Sequence, residues 1–134
     1  MTRAGTTTPF WWGSAITPEQ ANYDGSADPY KSGGAEGEYR QRTVPVDSFE
    51  PNPWGLYQVH GNVWDWPEDC LNSSNTGDPG DGSARTTGDC SRRVLRGGSW
   101  FDFPRFLRSA HRGRFSSVDR FYSFGFRLAR TLYP

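Results

Sequence analysis

The sequence predicts a single α+β domain, rich in loops, with short antiparallel strands and few short helices. Its 134 residues fall within the usual size of one domain, so one domain spanning residues 1–134 is expected. Sixteen glycines and ten prolines favour turns and irregular backbone over long helices. Aromatic residues make up 16% of the chain, and disordered chains lack such aromatics. We therefore expect a folded domain built from short elements and long loops.

The first half of the chain predicts two short strands separated by a surface loop. Residues 6–13 form an aromatic run that ends at a glycine, which predicts a strand, and residues 17–18 predict the start of one helical turn. Residues 25–37 are mostly small and polar and predict a loop. Residues 52–57 predict a turn followed by an aromatic strand.

The second half contains the clearer strand patterns. Residues 62–66 alternate, with Trp64 and Trp66 on one face, which is strand periodicity. Residues 71–88 predict a turn-rich loop, and residues 93–100 return to strand before two glycines bend the chain. Residues 125–130 alternate again and are expected to pair as the closing strand, with Phe126 in the core.

The net charge is zero, but the charges are unevenly distributed. Residues 1–90 carry thirteen acidic and five basic residues (−8), whereas residues 91–134 carry ten arginines and two aspartates (+8). The planar guanidinium makes several directed hydrogen bonds, so we expect these arginines to pair with carboxylates and carbonyls within the fold. A nucleic-acid surface would need lysines and a net positive domain, so no nucleic-acid partner is expected.

The two cysteines, Cys70 and Cys90, are too few for a disulfide framework, and no cysteine or histidine spacing is typical of zinc ligands. A single bridge would restrain the loop between them by about 3 kcal/mol. The first 25 residues lack the apolar stretch of a signal peptide, and no apolar run approaches the roughly 18 residues of a membrane span. The sequence therefore favours two reduced thiols, no membrane insertion and, by default, a cytoplasmic location.

Four ordered motifs resemble the formylglycine-generating enzyme (sulfatase-modifying factor) family. They occupy residues 52–57, 61–66, 93–100 and 125–127. The resemblance implies a C-type-lectin-like fold of the formylglycine-generating-enzyme type, with long loops held by polar contacts. It covers about the C-terminal half of the family's domain, so a fold truncated at the N-terminus is expected.

The resemblance also bears on catalysis. Oxidase members carry two cysteines shortly after the Gly-Gly-Ser-aromatic motif, where a copper-bound thiolate pair activates oxygen. Residues 101–108 contain no cysteine, and Cys90 lies before the motif. A related iron-dependent group would need a histidine cluster, whereas His60 and His111 are the only histidines and lie far apart. We expect no enzyme activity and no copper; the alternative is an active or degenerate oxidase of this family.

The family's Gly-Asn-Val-Trp-Glu-Trp region contributes to a calcium site. Matched residue by residue, the resemblance implies Gln58, the carbonyls of Gly61 and Val63, and Asp65 as ligands of a structural calcium ion. Oxygen ligands suit such a hard cation. The alternative is that Asp65 lies at a strand end and pairs with an arginine.

Residues 101–124 resemble the variable region of the target proteins of diversity-generating retroelements. That region lies between an Arg-Gly-Gly-Ser-Trp motif and a closing Gly-Phe-Arg. The implied fixed positions are Pro104, Arg105, Leu107, Arg108, Ser109, Ala110, Arg112, Arg114, Asp119 and Arg120. The implied variable, ligand-binding positions are Phe101, Asp102, Phe103, Phe106, His111, Gly113, Phe115, Ser116, Phe121, Tyr122, Ser123 and Phe124.

The composition of this segment agrees with that resemblance. Mutagenesis in those systems acts at template adenines, so an AAC codon becomes any codon ending in C, a set that cannot encode Trp, Lys, Glu, Gln or Met. These five types occur sixteen times in residues 1–100, so about four are expected in 24 residues, and residues 101–124 contain none. Six of the nine phenylalanines lie in the segment, and no helical or strand period places them on one buried face.

Exposed, clustered aromatic residues mark binding sites. We therefore expect a non-enzymatic, receptor-type protein that displays a hypervariable surface on a lectin scaffold, with a protein as its ligand. Two alternatives stay open: the aromatic segment is part of the core, or the chain is a purely structural lectin-like module.

Overall fold

A computed structural model of the chain describes residues 2–26 and 37–128. The elements within them are β1 (Trp64–Asp65), β2 (Cys70–Leu71), β3 (Asp89–Leu95), a 3₁₀ helix (Pro104–Phe106), β4 (Gly113–Ser116) and β5 (Phe124–Gly125). The rest of the described chain consists of turns and irregular backbone. The loop-rich architecture with short strands and little helix that the sequence predicts is confirmed.

The strands form two small sheets of different type. β2, β3 and β4 form an antiparallel sheet in that order, with Val94 of β3 opposite Arg114 of β4. β1 and β5 pair in parallel, so the closing pair departs from the expected antiparallel arrangement. Asp65 and Arg96 exchange backbone hydrogen bonds of 2.9 and 3.1 Å, which join the end of β1 to the end of β3. This bridge holds the two sheets together.

Two predicted aromatic strands are absent because local turns use the backbone groups that a strand would need. In residues 6–13, Phe10 and Gly13 bond to each other, so the chain turns back on itself. In residues 52–57 the turn is confirmed. There the side-chain oxygen of Asn52 accepts the N–H groups of Trp54 and Leu56, so no strand follows. The helical turn expected at residues 17–18 is a single hydrogen-bonded turn.

The later strands agree better with their predicted positions. β1 lies within residues 62–66, and β3 reaches residue 95 before the backbone bends at Gly97 and Gly98, where φ is positive. β5 begins one residue before the predicted closing strand and ends at Gly125. Phe126, which was expected to be core, is 72% exposed, so that prediction is wrong. Residues 129–130 of that strand and residues 27–36 of the predicted loop lie outside the described residues.

One residue of the 101–124 segment completes the hydrophobic core. The buried cluster consists of Phe10, Ile16, Ala21, Tyr23 and Leu107. A Cβ atom at Gly98 would come within 2.7 Å of the Leu107 side chain, so the turn after β3 needs a glycine there. The glycine of the motif at residues 93–100 is therefore required by the packing of Leu107, which belongs to the following segment, residues 101–124.

His60 ties the N-terminal loop to the chain that follows the 3₁₀ helix. Its ring is 2% exposed and lies 5.4 Å from the ring of Phe10. Its Nδ1 lies 2.7 Å from the carbonyl oxygen of Leu107, which can only accept, so Nδ1 carries the proton. Its Nε2 then accepts the N–H of Trp11 at 3.4 Å. Burial lowers the pKa of His60 to about 4, so the ring is a neutral part of the core.

Cys70 and Cys90 form a disulfide, so the expectation of two reduced thiols is wrong. β2 pairs with β3 and brings the two Cα atoms to 4.5 Å, a distance that a disulfide spans. The intervening loop has no periodicity that would reveal this pairing from the sequence. Because the bridge restrains the unfolded chain, it raises the free energy of unfolding by about 3 kcal/mol.

Several arginines of the C-terminal third bond to backbone carbonyls, as predicted. Arg93 donates to the carbonyl of Glu68, and Arg96 donates to the carbonyl of Ser109 at 2.5 Å. In residues 2–26 and 37–128, no helix is long and apolar enough to cross a membrane.

Candidate ligand-binding surface

Residues 101–124 divide into side chains that face the core and side chains that face solvent. Pro104, Leu107 and Ser109, which were predicted to be fixed, are all buried. Phe101 and Tyr122, which were predicted to vary, are 56% and 69% exposed. The segment therefore anchors its middle in the core and presents aromatic side chains on either side of that anchor.

The first group of surface rings, here called the Trp100 cluster, consists of two exposed rings, Phe101 and Tyr122, and two half-buried rings, Tyr39 and Trp100. The ring of Trp100 lies 6.1 Å from Tyr39, 5.8 Å from Phe101 and 5.5 Å from Tyr122. Three parts of the chain contribute these rings: the loop that carries Tyr39, the turn after β3 that carries Trp100 and Phe101, and the turn before β5 that carries Tyr122. The cluster is an aromatic patch in which Trp100, from the motif before the segment, contacts two predicted variable positions.

The second group, the Phe124 cluster, consists of Trp66, Phe115, Phe121 and Phe124. The ring of Phe124 lies 4.8 Å from Phe115, 4.9 Å from Phe121 and 5.6 Å from Trp66, all in edge-to-face or tilted contacts. Phe121 is 52% exposed. The parallel pairing of β5 with β1 carries Phe124 to this position.

A surface groove of about 460 Å³ runs along the Phe124 cluster. Its walls include the rings of Trp66, Phe121, Phe124 and Phe126 and the side chain of Arg120. Aromatic walls with one cation suit the burial of apolar and aromatic groups of a partner.

Two predicted variable positions have structural roles in this fold. One carboxylate oxygen of Asp102 accepts the indole N–H of Trp64 at 2.8 Å, the backbone N–H of Ser99 at 3.0 Å and the Ser99 hydroxyl at 2.5 Å. A Cβ atom at Gly113 would lie 3.1 Å from the Trp64 ring. Asp102 therefore faces inward, which corrects the outward orientation expected for it, and Gly113 leaves room for an indole.

Three further predicted positions are half-buried. Phe106 packs against the core cluster, and His111 lies between the rings of Phe106 and Trp64, at 5.1 and 5.7 Å. Burial lowers the pKa of His111. The guanidinium of Arg105 lies over the rings of Phe103 and Phe106. These side chains form the border between the core and the exposed rings.

The backbone around the remaining predicted positions is fixed by hydrogen bonds. The N–H of Ser116 donates to the Asp119 carboxylate at 3.0 Å, and the carbonyl of Ser123 accepts the N–H of Trp64 at 2.8 Å. Phe115, in β4, is half-buried. Substitutions at these positions would change the side chains while these hydrogen bonds keep the backbone in place.

Two of the residues implied as calcium ligands, Asp65 and Gln58, accept hydrogen bonds from Arg127. The Asp65 carboxylate accepts the Nε–H of Arg127 at 2.6 Å, and Nη2 of the same guanidinium donates to the main-chain carbonyl of Gln58 at 2.9 Å. The side-chain amide of Gln58 donates to the carbonyl of Pro45 at 2.6 Å, while its oxygen is buried without a partner among the described residues. Burial raises the pKa of Asp65, although Arg127 opposes that rise.

This arrangement does not fit a calcium ion. Asp65 supplies the single formal negative charge of the implied ligand set, and the guanidinium of Arg127 already neutralises it. Gly61 and Val63, whose carbonyls are the other implied ligands, lie in the loop just before β1. No group of three or more His, Cys, Asp or Glu side chains in the described part of the chain is placed to hold a metal ion. The pairing of Asp65 with an arginine is the alternative that the sequence left open.

The chain also lacks the thiolates that a copper site would need. Its two cysteines are joined in the disulfide, and neither follows the Gly-Gly-Ser-Trp motif. A soft Cu(I) ion requires thiolate or thioether ligands. The side chains in and around residues 101–108 therefore do not provide the ligands that a copper ion needs.

Sequence reasoning missed several residues of the surface because it confined the surface to one segment. Four of them lie outside that segment, namely Tyr39, Trp66, Trp100 and Phe126, and the fifth, Arg120, lies within it at a position predicted to be fixed. The alternation of residues 62–66 placed Trp66 on a strand face, but it could not identify β5 as the strand that pairs with β1. No local signal linked Tyr39 to the surface.

Residues 2–132 match the Sulfatase-modifying factor enzyme 1-like domain. The chain belongs to this family. Among relatives of this family domain, Inactive C-alpha-formylglycine-generating enzyme 2 of Bos taurus is 34% identical over 92 residues, 68% of this chain and 25% of that protein. Serine/threonine-protein kinase pkn1 of Chlamydia caviae is 38% identical over 94 residues, 66% of this chain and 15% of that protein. The chain thus spans a quarter or less of these relatives.

Two solved structures share the fold of this sulfatase-modifying factor family domain. PvdO from Pseudomonas aeruginosa superposes with a TM-score of 0.75 at 35% identity, over 93% of this chain and 46% of that one. Treponema denticola variable protein 1 superposes with a TM-score of 0.70 at 29% identity, over 93% of this chain and 41% of that one. The predicted formylglycine-generating-enzyme type of C-type-lectin-like fold is confirmed, as is the likeness to a variable protein.

Proposed function

We propose that this chain is a non-enzymatic, receptor-type protein whose residues 101–124 carry a hypervariable, ligand-binding surface generated by a diversity-generating retroelement. One observation carries the proposal. Within one segment, the predicted fixed residues Leu107 and Ser109 are buried, whereas the predicted variable residues Phe101, Phe121 and Tyr122 are more than half exposed. A segment that is diversified by mutation must keep its core contacts and vary only outward. The fold shared with Treponema denticola variable protein 1 supports the same reading.

The ligand proposed for this surface is a protein. The Trp100 and Phe124 clusters offer large, rigid apolar rings, which contribute contact area at a low cost in side-chain entropy. Arg120 adds a cation beside the groove. Aromatic residues and arginine are enriched at the energetic centres of protein interfaces. Ser123, between Tyr122 and Phe124 in the chain, and the half-buried His111 supply adaptable hydrogen-bonding groups.

The disulfide bears on where the protein acts. Disulfides form and persist in oxidising compartments and are rare in the cytosol. The Cys70–Cys90 bridge therefore favours an oxidising location over the cytoplasmic location that the sequence suggests by default.

The proposal is tested by sequencing this gene in many independent cells of its source, together with the flanking DNA. We expect substitutions concentrated at the codons of Phe101, Phe115, Phe121 and Tyr122, with an intact codon for Leu107 as the internal control. A reverse-transcriptase gene and a near-identical template repeat should lie nearby. An invariant segment with no template repeat would contradict the proposal and favour a constant lectin-like module.

The alternative, an oxidase of the family type, has a separate test. The protein is incubated with copper, oxygen and a cysteine-bearing sulfatase peptide, and free thiol is measured over time. We expect no loss of thiol beyond a no-protein blank, because both cysteines are held in a disulfide. Turnover above that blank would restore the oxidase function.

A further inference from the structure

A polar pocket of about 360 Å³ lies apart from the aromatic groove and shares no lining residue with it. It is bounded by β2, the end of β3 and the chain after the 3₁₀ helix. Its charged lining residues are Arg3, Asp69, Asp78, Arg85, Arg96 and Arg112. Four guanidinium groups against two carboxylates leave a formal charge of +2 at one site.

The two carboxylates of the pocket already serve one arginine. Asp78 forms an ion pair with Arg85 at 2.9 Å, and Asp69 accepts the backbone N–H of Arg85 at 3.2 Å. Among the described residues, Arg96 and Arg112 have no carboxylate ion pair. Asp69 offsets part of the charge around Arg96, but four cations against two carboxylates still repel each other, which makes the site favourable to an anion.

Two buried polar atoms in the pocket wall also lack a partner. Nη2 of Arg96 donates to the carbonyl of Ser109, but Nη1 of Arg96 is buried and has no hydrogen-bond partner in the described chain. The hydroxyl of Ser109 is likewise buried and unpartnered, and Ser109 is 6% exposed. Burial, and then repulsion by Arg112 and Arg3, lowers the pKa of Arg96. Buried donors without acceptors are costly, so an acceptor at this position would stabilise the fold.

We propose that this pocket binds a dianionic oxyanion of the phosphate or sulfate type, free or as a monoester. Two negative charges match the excess of +2, and the guanidinium fork of arginine matches the spacing of tetrahedral oxyanion oxygens. The hydroxyl of Ser109 donates to one oxygen, and Nη1 of Arg96 and the guanidinium of Arg112 donate to others. The pocket volume suits a small group rather than a folded partner.

The site goes beyond the proposed display function. The residues that the 101–124 segment contributes to it, Ser109, Ala110 and Arg112, are all positions predicted to be fixed. Arg96 belongs to the motif that precedes the segment. The anion site therefore stays the same whatever the variable side chains become, and it stands or falls independently of diversification.

The test is calorimetric titration of the full 134-residue chain at constant ionic strength with inorganic phosphate, sulfate, O-phosphoserine and, as a monoanion, acetate. We expect phosphate or sulfate to bind at least tenfold more tightly than acetate, and Arg112→Gln and Ser109→Ala each to weaken that binding at least fivefold. O-phosphoserine separates a free anion from a monoester, since tighter binding than inorganic phosphate indicates the ester.

The matched control is Arg114→Gln, which removes the same charge from an exposed position of β4. It should leave the affinity within twofold. Equal binding of acetate, or an equal loss in Arg114→Gln and Arg112→Gln, would overturn the proposal, because either result would indicate general charge attraction. Ser109→Ala removes an unpartnered hydroxyl and should fold normally, which keeps the test decisive if Arg112→Gln is unstable.

Discussion

Residues 104–109 and residues 115–124 lie in one segment, yet the first stretch is anchored by fully buried side chains and the second has none. In the first stretch, Leu107 is fully buried and its carbonyl is bonded to His60. In the second, the phenylalanine rings pack mainly on one another and on Trp66, with Phe121 half in solvent. Hydrophobic side chains in both stretches look alike in the sequence. Tolerance to substitution should therefore depend on the direction of a side chain rather than on its type.

Replacement of Leu107 should produce the largest effect on either side of this comparison. Leu107→Ala leaves a cavity among Phe10, Ile16 and Tyr23, and buried Leu→Ala changes cost roughly 2–5 kcal/mol. Urea unfolding followed by tryptophan fluorescence measures the loss. A cost of only a few tenths of a kcal/mol would mean that the segment is not anchored through this residue.

Acidification should loosen the same anchor through His60. The folded-state pKa is about 4 against a usual value of 6.5, so the unfolded state binds the proton more readily between these values. The contribution is fully present above pH 6.5 and is lost as the pH falls toward 4, at about 3 kcal/mol in total. The unfolding free energy should therefore fall steadily across this window.

The matched variant for that measurement is His60→Gln, which keeps a donor for the Leu107 carbonyl but does not titrate. Its unfolding free energy should fall less steeply than that of the parent between pH 6.5 and 5, where few carboxylates titrate, and the slope that remains belongs to His111, whose pKa burial also lowers. A slope equal to that of the parent would assign the pH dependence to other groups.

Replacement of the exposed rings should have a small effect on stability and a large effect on binding. The combined variant Phe101→Ser, Phe121→Ser and Tyr122→Ser changes three side chains that are each more than half exposed. Surface substitutions usually stay within about 0.5 kcal/mol each, so the total should be below about 1.5 kcal/mol. A loss of several kcal/mol in thermal or urea unfolding would show that these rings are core, and the display proposal would fail.

Calcium should have the smallest effect. Because Arg127 neutralises Asp65, calcium ions should leave the melting temperature of the parent chain unchanged. In Arg127→Gln the carboxylate is released, and a calcium-dependent rise becomes possible by mass action. A rise in the parent that Asp65→Ala abolishes would establish the calcium site that the family resemblance implies.

Sequence reasoning reached the fold class because its signals are local or compositional. The glycine and proline content is a property of the whole chain. The alternation at residues 62–66 and each of the four motifs are contained in a short stretch of sequence. The same is true of the missing cysteine pair after Trp100. Of the surface, the sequence identified the exposed rings of Phe101, Phe121 and Tyr122, but it also included Asp102 and Gly113, which serve the fold.

The remaining features depend on contacts between residues that are distant in the chain. The disulfide follows from the pairing of β2 with β3, and the inward turn of Asp102 follows from the position of the Trp64 indole. The pairing of Asp65 with Arg127 spans 62 residues. A linear pattern states which side chains are apolar or charged. Only the tertiary structure decides which partner each one meets, because in a loop-rich chain no regular period determines the direction of a side chain.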